Sequence, residues 1–297
     1  MYKISNESHE VWDNLKPSND FIFARLMQNE EICRELIEVL LDISIDHIEY
    51  LEEQKTIDIS LDSRSVRLDV YIKDENGTVY NVEIQPSVSK ELEKRSRYYQ
   101  AMIDLNNLEK GQRFRDLPNS YVIFICTYDP FGEGEMCYRY ENRNMDRPEQ
   151  RLGDGTYKYF FNTKACDGKR TDVMNVLKFI ETGNEGSEPT RLAGKMATEY
   201  QQIKSNKEWK VTYMTLYERQ QERLEAAIEQ GIEQGIEQGI EKGIEIGEAK
   251  GRSAGKAENR KELLTMAKDL LKSGQGIDSL RTIMKLTDEE VAYVLNA

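Results

Sequence analysis

Apolar and polar residues alternate along 66–73 and again along 79–85, on either side of Asp74-Glu75-Asn76-Gly77. A period of two predicts two strands, and Asn-Gly supplies the backbone angles of a tight hairpin turn. Upstream, Ser18 or Asn19 can cap a helix whose apolar side is Phe21, Ile22, Phe23, Leu26 and Met27. A second helix is predicted over 29–41, where Ile32, Cys33, Leu36, Ile37, Leu40 and Leu41 recur near helical period. Strand-like pieces at 48–51 and 56–61 lead into the central pair. After Pro86 the pattern turns helical over 90–108, and Gly111 marks its end. The run 121–127 is almost entirely apolar, as expected of a central strand covered on both faces. Two further strands, 136–140 and 157–162, are separated by turn signals and read as a hairpin added to the sheet edge. Their aromatic residues fit cross-strand packing better than stacking on bases. A helix over 171–181 and a break at 183–189 follow, and a further helical stretch runs with interruptions from 191 to 224.

From Ile228 the tetrad Ile-Glu-Gln-Gly recurs, placing Gly231, Gly235, Gly239, Gly243, Gly247, Gly251 and Gly255 in series. Four residues advance about 400° around an α-helix, so each column drifts about 40° per repeat. Interior glycine costs about 0.5–1 kcal/mol against alanine, which makes this a weak helix by itself. The tail therefore reads as a helical spacer, a self-association element or a disordered segment. Beyond it, an amphipathic helix over 259–271 and short helices over 277–284 and 287–295 are expected. Thr287 and Glu290 have capping-box spacing in the last of these. A helix-turn-helix is disfavoured because Asp278, Asp288, Glu289 and Glu290 outweigh Arg281 and Lys285. The segments expected are 16–185 as the globular domain, 189–257 as the repeat-bearing helical segment and 258–297 as a small helical end.

The 297 residues carry a net charge of -13, which argues against a nonspecific whole-surface polyanion binder but not against a local basic rim. Cys33, Cys126, Cys137 and Cys166 have no close pair spacing, and the histidines are His9 and His47, so no zinc site of usual form is expected. The start of the chain lacks an apolar leader, and no stretch reaches membrane length. A cytoplasmic protein without a membrane partner is the expectation.

Three polar groups in the central pair carry the candidate chemistry. Glu83 and Gln85 flank Ile84 and so share one face of their strand. Asp69, between Leu68 and Val70, can lie near that face if the strands pair around the turn. Two close carboxylates repel, and a divalent cation with a preference for hard oxygen ligands, Mg²⁺ or Mn²⁺, removes that cost. Taken alone, Asp69 fits a solvated strand acid. Asp20 fits either a helix-cap residue or a third acid.

Asp69, the hairpin and Glu83-Ile84-Gln85 resemble the catalytic core of the PD-(D/E)XK nuclease superfamily. Within it, Lys16-Pro17-Ser18-Asn19-Asp20-Phe21-Ile22-Phe23, Arg95-Ser96-Arg97-Tyr98-Tyr99-Gln100 and the glycine-spaced tail are similar to the recombination-promoting nucleases of the Rpn group, also labelled transposases. The resemblance implies an α/β restriction-endonuclease-like core, a mixed sheet flanked by helices, followed by a helical C-terminal extension. It implies Mg²⁺-dependent hydrolysis of DNA phosphodiesters, with Mn²⁺ as a substitute, in the cytoplasm or at the nucleoid. Asp69 matches the central aspartate, Glu83 the second acid, and Gln85 the place where lysine is commonest, so that catalysis falls to Asp69, Glu83 and Gln85. Asp69, Glu83 and Asp20 would hold the metal, with Glu35 and Glu38 as weaker alternatives to Asp20, and Arg97 and Gln100 would line the site or touch DNA. Glutamine can hydrogen-bond but carries no charge. A competing reading is therefore an inactive nuclease scaffold that binds DNA or assembles. A third is a homo-oligomer built by the tail.

Overall fold

Asn19 and Asn29 start the first two helices because each side chain accepts a hydrogen bond from the exposed backbone amides of the first turn. Asn19 Oδ1 takes Phe21 N at 3.1 Å, and Asn29 Oδ1 takes Ile32 N at 3.2 Å. These helices are α1 (Asp20–Leu26) and α2 (Glu30–Leu41). The computed structural model describes residues 11–51, 56–57, 66–67, 70–165 and 170–296, with the backbone alone at 56–57 and 66–67.

Among the described residues eight strands follow in order: β1 (Ile48–Tyr50), β2 (Thr56–Ile57), β3 (Val66–Arg67), β4 (Val70–Asp74), β5 (Val79–Gln85), β6 (Ser120–Cys126), β7 (Cys137–Tyr140) and β8 (Thr156–Asn162). Helix α3 (Leu92–Asn106) lies between β5 and β6, and α4 (Thr171–Thr182) and α5 (Arg191–Ser205) follow β8. Six strands form one mixed sheet in the order β1-β4-β5-β6-β8-β7, and β2 pairs with β3 separately. The pairs β5/β6 and β6/β8 are parallel, and β1/β4, β4/β5 and β7/β8 are antiparallel. The expected hairpin is thus added at the sheet edge, with β7 outermost.

The turn between β4 and β5 closes as its residues predict. Asp74 Oδ1 accepts from Asn76 N at 2.9 Å and Thr78 N at 2.8 Å, and Gly77 takes a φ of +82°. That turn sets the register Lys73↔Val79 through Val70↔Val82.

The sheet separates two apolar cores. Tyr80, Val82 and Ile84 of β5 join Ile123, Ile125 and Phe161 and the buried faces of α1, α2, α4 and α5. The opposite face carries Val79, Val122, Phe124 and Phe160 against Leu92, Tyr99, Met102 and Ile103 of α3. Every residue of β5 is buried, as expected of a strand with helices over both faces.

The chain divides at Glu218 and Arg219 into two compact units. Because α5 buries Leu192, Ala193, Met196 and Ile203, the first unit extends past the boundary expected at 185. Helix α6 (Lys207–Lys272) runs unbroken through 257–258, so the repeat and the 259–271 segment are one helix. Lys256, Ala257 and Glu258 are good helix formers and offer no stop signal.

In the second unit, Leu286, in the connection between α7 (Ile277–Met284) and α8 (Asp288–Leu295), and Val294 of α8 pack with Ala267. Thr287 and Glu290 form the capping box. Arg260 donates through Nε to Glu290 Oε1 at 2.6 Å and through Nη2 to the Lys285 carbonyl at 2.9 Å, tying the end of α7 to the start of α8. Arg260 holds the Glu290 carboxyl at about 2, below its ordinary 4.5. A depressed carboxyl pKa contributes stability above the unfolded value and loses it as pH falls through the folded one. Amide protection of α7 and α8, taken relative to the intrinsic exchange rate at each pH, should therefore fall between pH 4.5 and 2 in the wild type and stay flat in Glu290→Gln. Equal pH dependence in both would remove this role from the pair.

Candidate active site

The period of two along β5 puts Val79, Asn81, Glu83 and Gln85 on the face covered by α3. Glu83 is 2% exposed and Gln85 8% exposed, deep for an acid and an amide. Both meet Arg95 from the first turns of α3. Arg95 Nη1 donates to Gln85 Oε1 at 2.8 Å, and its Nη2 donates to Tyr99 Oη at 2.8 Å and lies 3.9 Å from Glu83 Oε2. The guanidinium also sits over the rings of Tyr99 and Phe124, at 5.4 and 5.9 Å from their centroids. The other end of the Gln85 amide is used as well, since Nε2 donates to the Ile84 carbonyl at 2.8 Å. Gln85 is thus held in one orientation by two bonds.

Asp20 occupies the first turn of α1, and Asn19 is the cap. Although the residue is exposed as a whole, desolvation raises its carboxyl pKa, while its own backbone amide and the charge of Arg95 act in the opposite direction. Arg95 therefore stands in electrostatic reach of both Glu83 and Asp20. Asp69 lies outside the described residues. Its sequence neighbour Val70 pairs with Val82, the residue before Glu83. Cys126, opposite Gln85 on β6, is pushed up to about 12 by burial, so its thiol stays protonated and is no nucleophile.

The other candidates are placed elsewhere. Glu35 pairs with Lys195 at 2.6 Å and binds α2 to α5, and Glu38 accepts from Arg34 Nη1 and Ile45 N, both at 2.9 Å. Arg97 and Gln100 do not join the Glu83 cluster, and both line a cleft between α3 and β8. Gln100 donates to Ser120 Oγ at the start of β6. Ser120 lies opposite Val79, four positions or about 13 Å along the strand from Glu83. The reason is rotation, because two residues turn a helix by about 200°. Among the described residues, Arg95 is the cation that faces the site. It is placed three residues after Leu92 and four before Tyr99, both on the inward stripe of α3, and that spacing is a sequence signal for its direction.

As hard oxygen donors, the Glu83 carboxylate, the Gln85 carbonyl and the Asp20 carboxyl fit Mg²⁺ or Mn²⁺ in chemistry. Among the described residues no three His, Cys, Asp or Glu side chains gather closely enough to hold an ion, so a full ligand set would draw on Asp69.

Replacing Arg95 by methionine leaves Gln85 Oε1 without its donor and removes the cation beside buried Glu83. A loss of about 1–3 kcal/mol in unfolding free energy is expected, by chemical denaturation. Arg95→Lys should recover only part, because an ammonium cannot span Gln85 and Tyr99 as the guanidinium fork does. Equal stability of all three proteins would show that the bridge is not structural.

A family model described as PD-(D/E)XK nuclease family transposase matches residues 17–226. No curated protein and no solved structure matches the chain.

Proposed function

The chain belongs to the PD-(D/E)XK nuclease family transposases, and from that premise we propose that it is a metal-dependent DNA endonuclease. Its mixed six-stranded sheet between helices is the α/β fold of that superfamily. The observation that carries the proposal is the buried Glu83 carboxylate beside Gln85 and Arg95 on the central strand, inside the matched region. We assign Glu83, Asp69 and Asp20 as metal ligands and Asp69, Glu83 and Gln85 as the catalytic set.

When bound, Mg²⁺ or Mn²⁺ supplies Lewis acidity, which neutralises charge at phosphoryl oxygens and lowers the pKa of water. The chain's own groups do the rest. Arg95 carries the positive charge that Gln85 lacks, adjacent to the position where lysine is commonest. Its guanidinium is fixed by Gln85 and Tyr99, so little reorganisation is needed to stabilise charge on a phosphodiester. Gln85 positions Arg95 rather than activating water.

Cleavage of supercoiled plasmid tests this reading. The wild type should nick or linearise DNA with Mg²⁺ or Mn²⁺ and not with chelator. Folded Glu83→Ala and Asp69→Ala should lose about 10²-fold or more, and Arg95→Met a comparable factor. Ion-independent cleavage, or variants as active as the wild type, would overturn it.

A second reading is favoured by one observation. Both ends of the Gln85 amide are engaged inside the protein, so at most one of its two N–H donors is left for an attacking water. A weak or inactive scaffold that binds DNA would look the same, and the plasmid assay separates the two.

The family resemblance of the flanking motifs and tail supports the Rpn group in particular, with a role in recombination or mobile-element transfer in the cytoplasm or at the nucleoid. Among the described residues no helix is long and apolar enough to cross a membrane. The tail supports self-association. Ile228, Ile232, Ile236, Ile240 and Ile244 are each more than half exposed, and a Cβ added at any glycine from Gly231 to Gly255 would meet nothing within 4 Å. Ile and Gly columns lie about 60° apart, a ridge beside a groove along i, i+4 rows, which suits crossing a second copy at about −50°. Sedimentation should give a dimer for the full chain and a monomer for Ile236→Glu with Ile240→Glu, and an unchanged mass would exclude this surface.

A further inference from the structure

The sheet face opposite Glu83 carries a different cluster at its edge. On β8, Tyr159 packs against the core shared by α1, α2, α4 and α5, and Tyr157 stacks on Tyr121 on that same side, with 4.7 Å between ring centroids. Arg139 of β7, the outermost strand, is the cross-strand partner of Tyr159 and so shares its face. With Glu141, Arg143 and Arg151 of the connection that follows, these residues line a cleft of about 600 Å³.

The connection sets two like charges against each other. Arg143 and Arg151 are directly opposed in an antiparallel bridge, an arrangement that costs free energy unless an anion meets it. Glu141 supplies part of that anion: its Oε1 accepts from Arg143 Nε at 2.9 Å and lies 3.1 Å from Arg151 Nε. Arg143 Nη1 is used as well, donating to the Pro148 carbonyl at 2.9 Å. Three guanidiniums against one carboxylate still leave the cleft with a charge of +2, in a chain whose net charge is -13.

The remaining groups are donors without acceptors. Among the described residues, Arg139 makes no hydrogen bond or ion pair, and the terminal nitrogens of Arg151 make no hydrogen bond. The hydroxyls of Tyr157 and Tyr159 have no hydrogen-bond partner either. Burial raises the Tyr159 hydroxyl above its ordinary 10, with the Arg139 charge acting in the opposite direction, so it stays a neutral donor. Both tyrosines are half-buried, so they offer the cleft hydroxyls rather than a ring face for stacking. Guanidinium and hydroxyl donors around an engaged carboxylate suit the oxygens of phosphate groups.

This cleft is separate from the scissile position. In register, Arg139 lies three strands from Val82, the neighbour of Glu83, or about 14 Å across the sheet, and on the other face.

We propose that the edge cleft binds backbone phosphates of duplex DNA away from the bond at Glu83, through Arg139 and Arg151, with Glu141 and Arg143 positioning Arg151. That the polyanion is DNA rests on the nuclease reading above. The test is equilibrium binding of a labelled mixed-sequence duplex to the full chain, with chelator present, over a range of salt concentrations. Wild type is compared with Arg139→Gln alone, with Arg139→Gln plus Arg151→Gln, and with Lys261→Gln plus Lys272→Gln. The last pair is exposed on α6 of the second unit and removes an equal charge. The double cleft variant should bind at least about tenfold more weakly at low salt, with a log-log salt slope shallower by at least about 1, and the single variant should fall between. Tyr159→Phe should weaken binding with the slope unchanged, because a neutral hydroxyl releases no counterion. Arg139 and Arg151 are exposed and support no buried group, so thermal midpoints should match the wild type. No duplex binding by the wild type, or cleft variants that behave as the α6 pair does, overturns the proposal whether or not the protein cleaves DNA. Binding that is lost only in the cleft variants of a protein that cleaves nothing upholds the cleft and removes the nuclease reading alone.

Discussion

A carboxylate 2% exposed on a strand covered by helices on both faces is the constraint around which the first unit is arranged. Burying an acid is costly unless charge and hydrogen bonds meet it, and β5 can supply neither from its own backbone, which is committed to β4 and β6. The compensating charge comes from α3. Arg95 reaches Glu83 and Gln85 together because one planar fork spans both, and Tyr99 and Phe124 hold the fork in place. Loss of this one side chain would leave the Gln85 amide oxygen without this donor and take a cation from beside a buried acid.

Helix α3 also divides the sheet face into two environments. Its inward stripe, with Leu92, Arg95 and Tyr99, closes over the carboxylate, whereas Arg97, Gln100 and Asp104 border the cleft between α3 and β8. The stacked rings of Phe124 and Phe160 join the two. One cluster has its polar groups engaged around Arg95. The other holds the Gln100 amide oxygen, without a partner among the described residues, and half-buried Asp104 and Lys158, and unsatisfied polarity of that kind is rare in a folded interior.

The second unit follows a different economy. Its helical end is held by a small apolar cluster and by Arg260, which satisfies both the carbonyls ending α7 and the capping box starting α8. The repeat upstream buries nothing within its own unit, since its isoleucines stand exposed and its glycines face open space. Helix interiors so rich in glycine depend on partners more than on propensity.

Much of this was legible in the residues themselves. Alternation specified β4 and β5, the apolar run specified β6, and Asn-Gly specified the turn that sets their register, because period and turn chemistry act over a few residues. The same alternation placed Glu83 and Gln85 on one face, and capping residues marked the starts of α1 and α8. The family likeness was readable for the same reason, since its motifs are local. What tertiary structure decided was which helix residues meet the strand. Arg95 and Arg97 are near neighbours in sequence, and only the docking of α3 through Leu92, Tyr99, Met102 and Ile103 selects the first for the carboxylate and leaves the second at the cleft. Glu35 and Glu38 were likewise claimed by Lys195, Arg34 and a loop amide, partners 160, 4 and 7 residues away. The extent of the first unit past residue 185 was decided by packing too, because α5 completes a core begun by α1 and α2. Sequence determined the strands and the acids, which depend on local periodicity. Long-range packing decided which charges those acids meet.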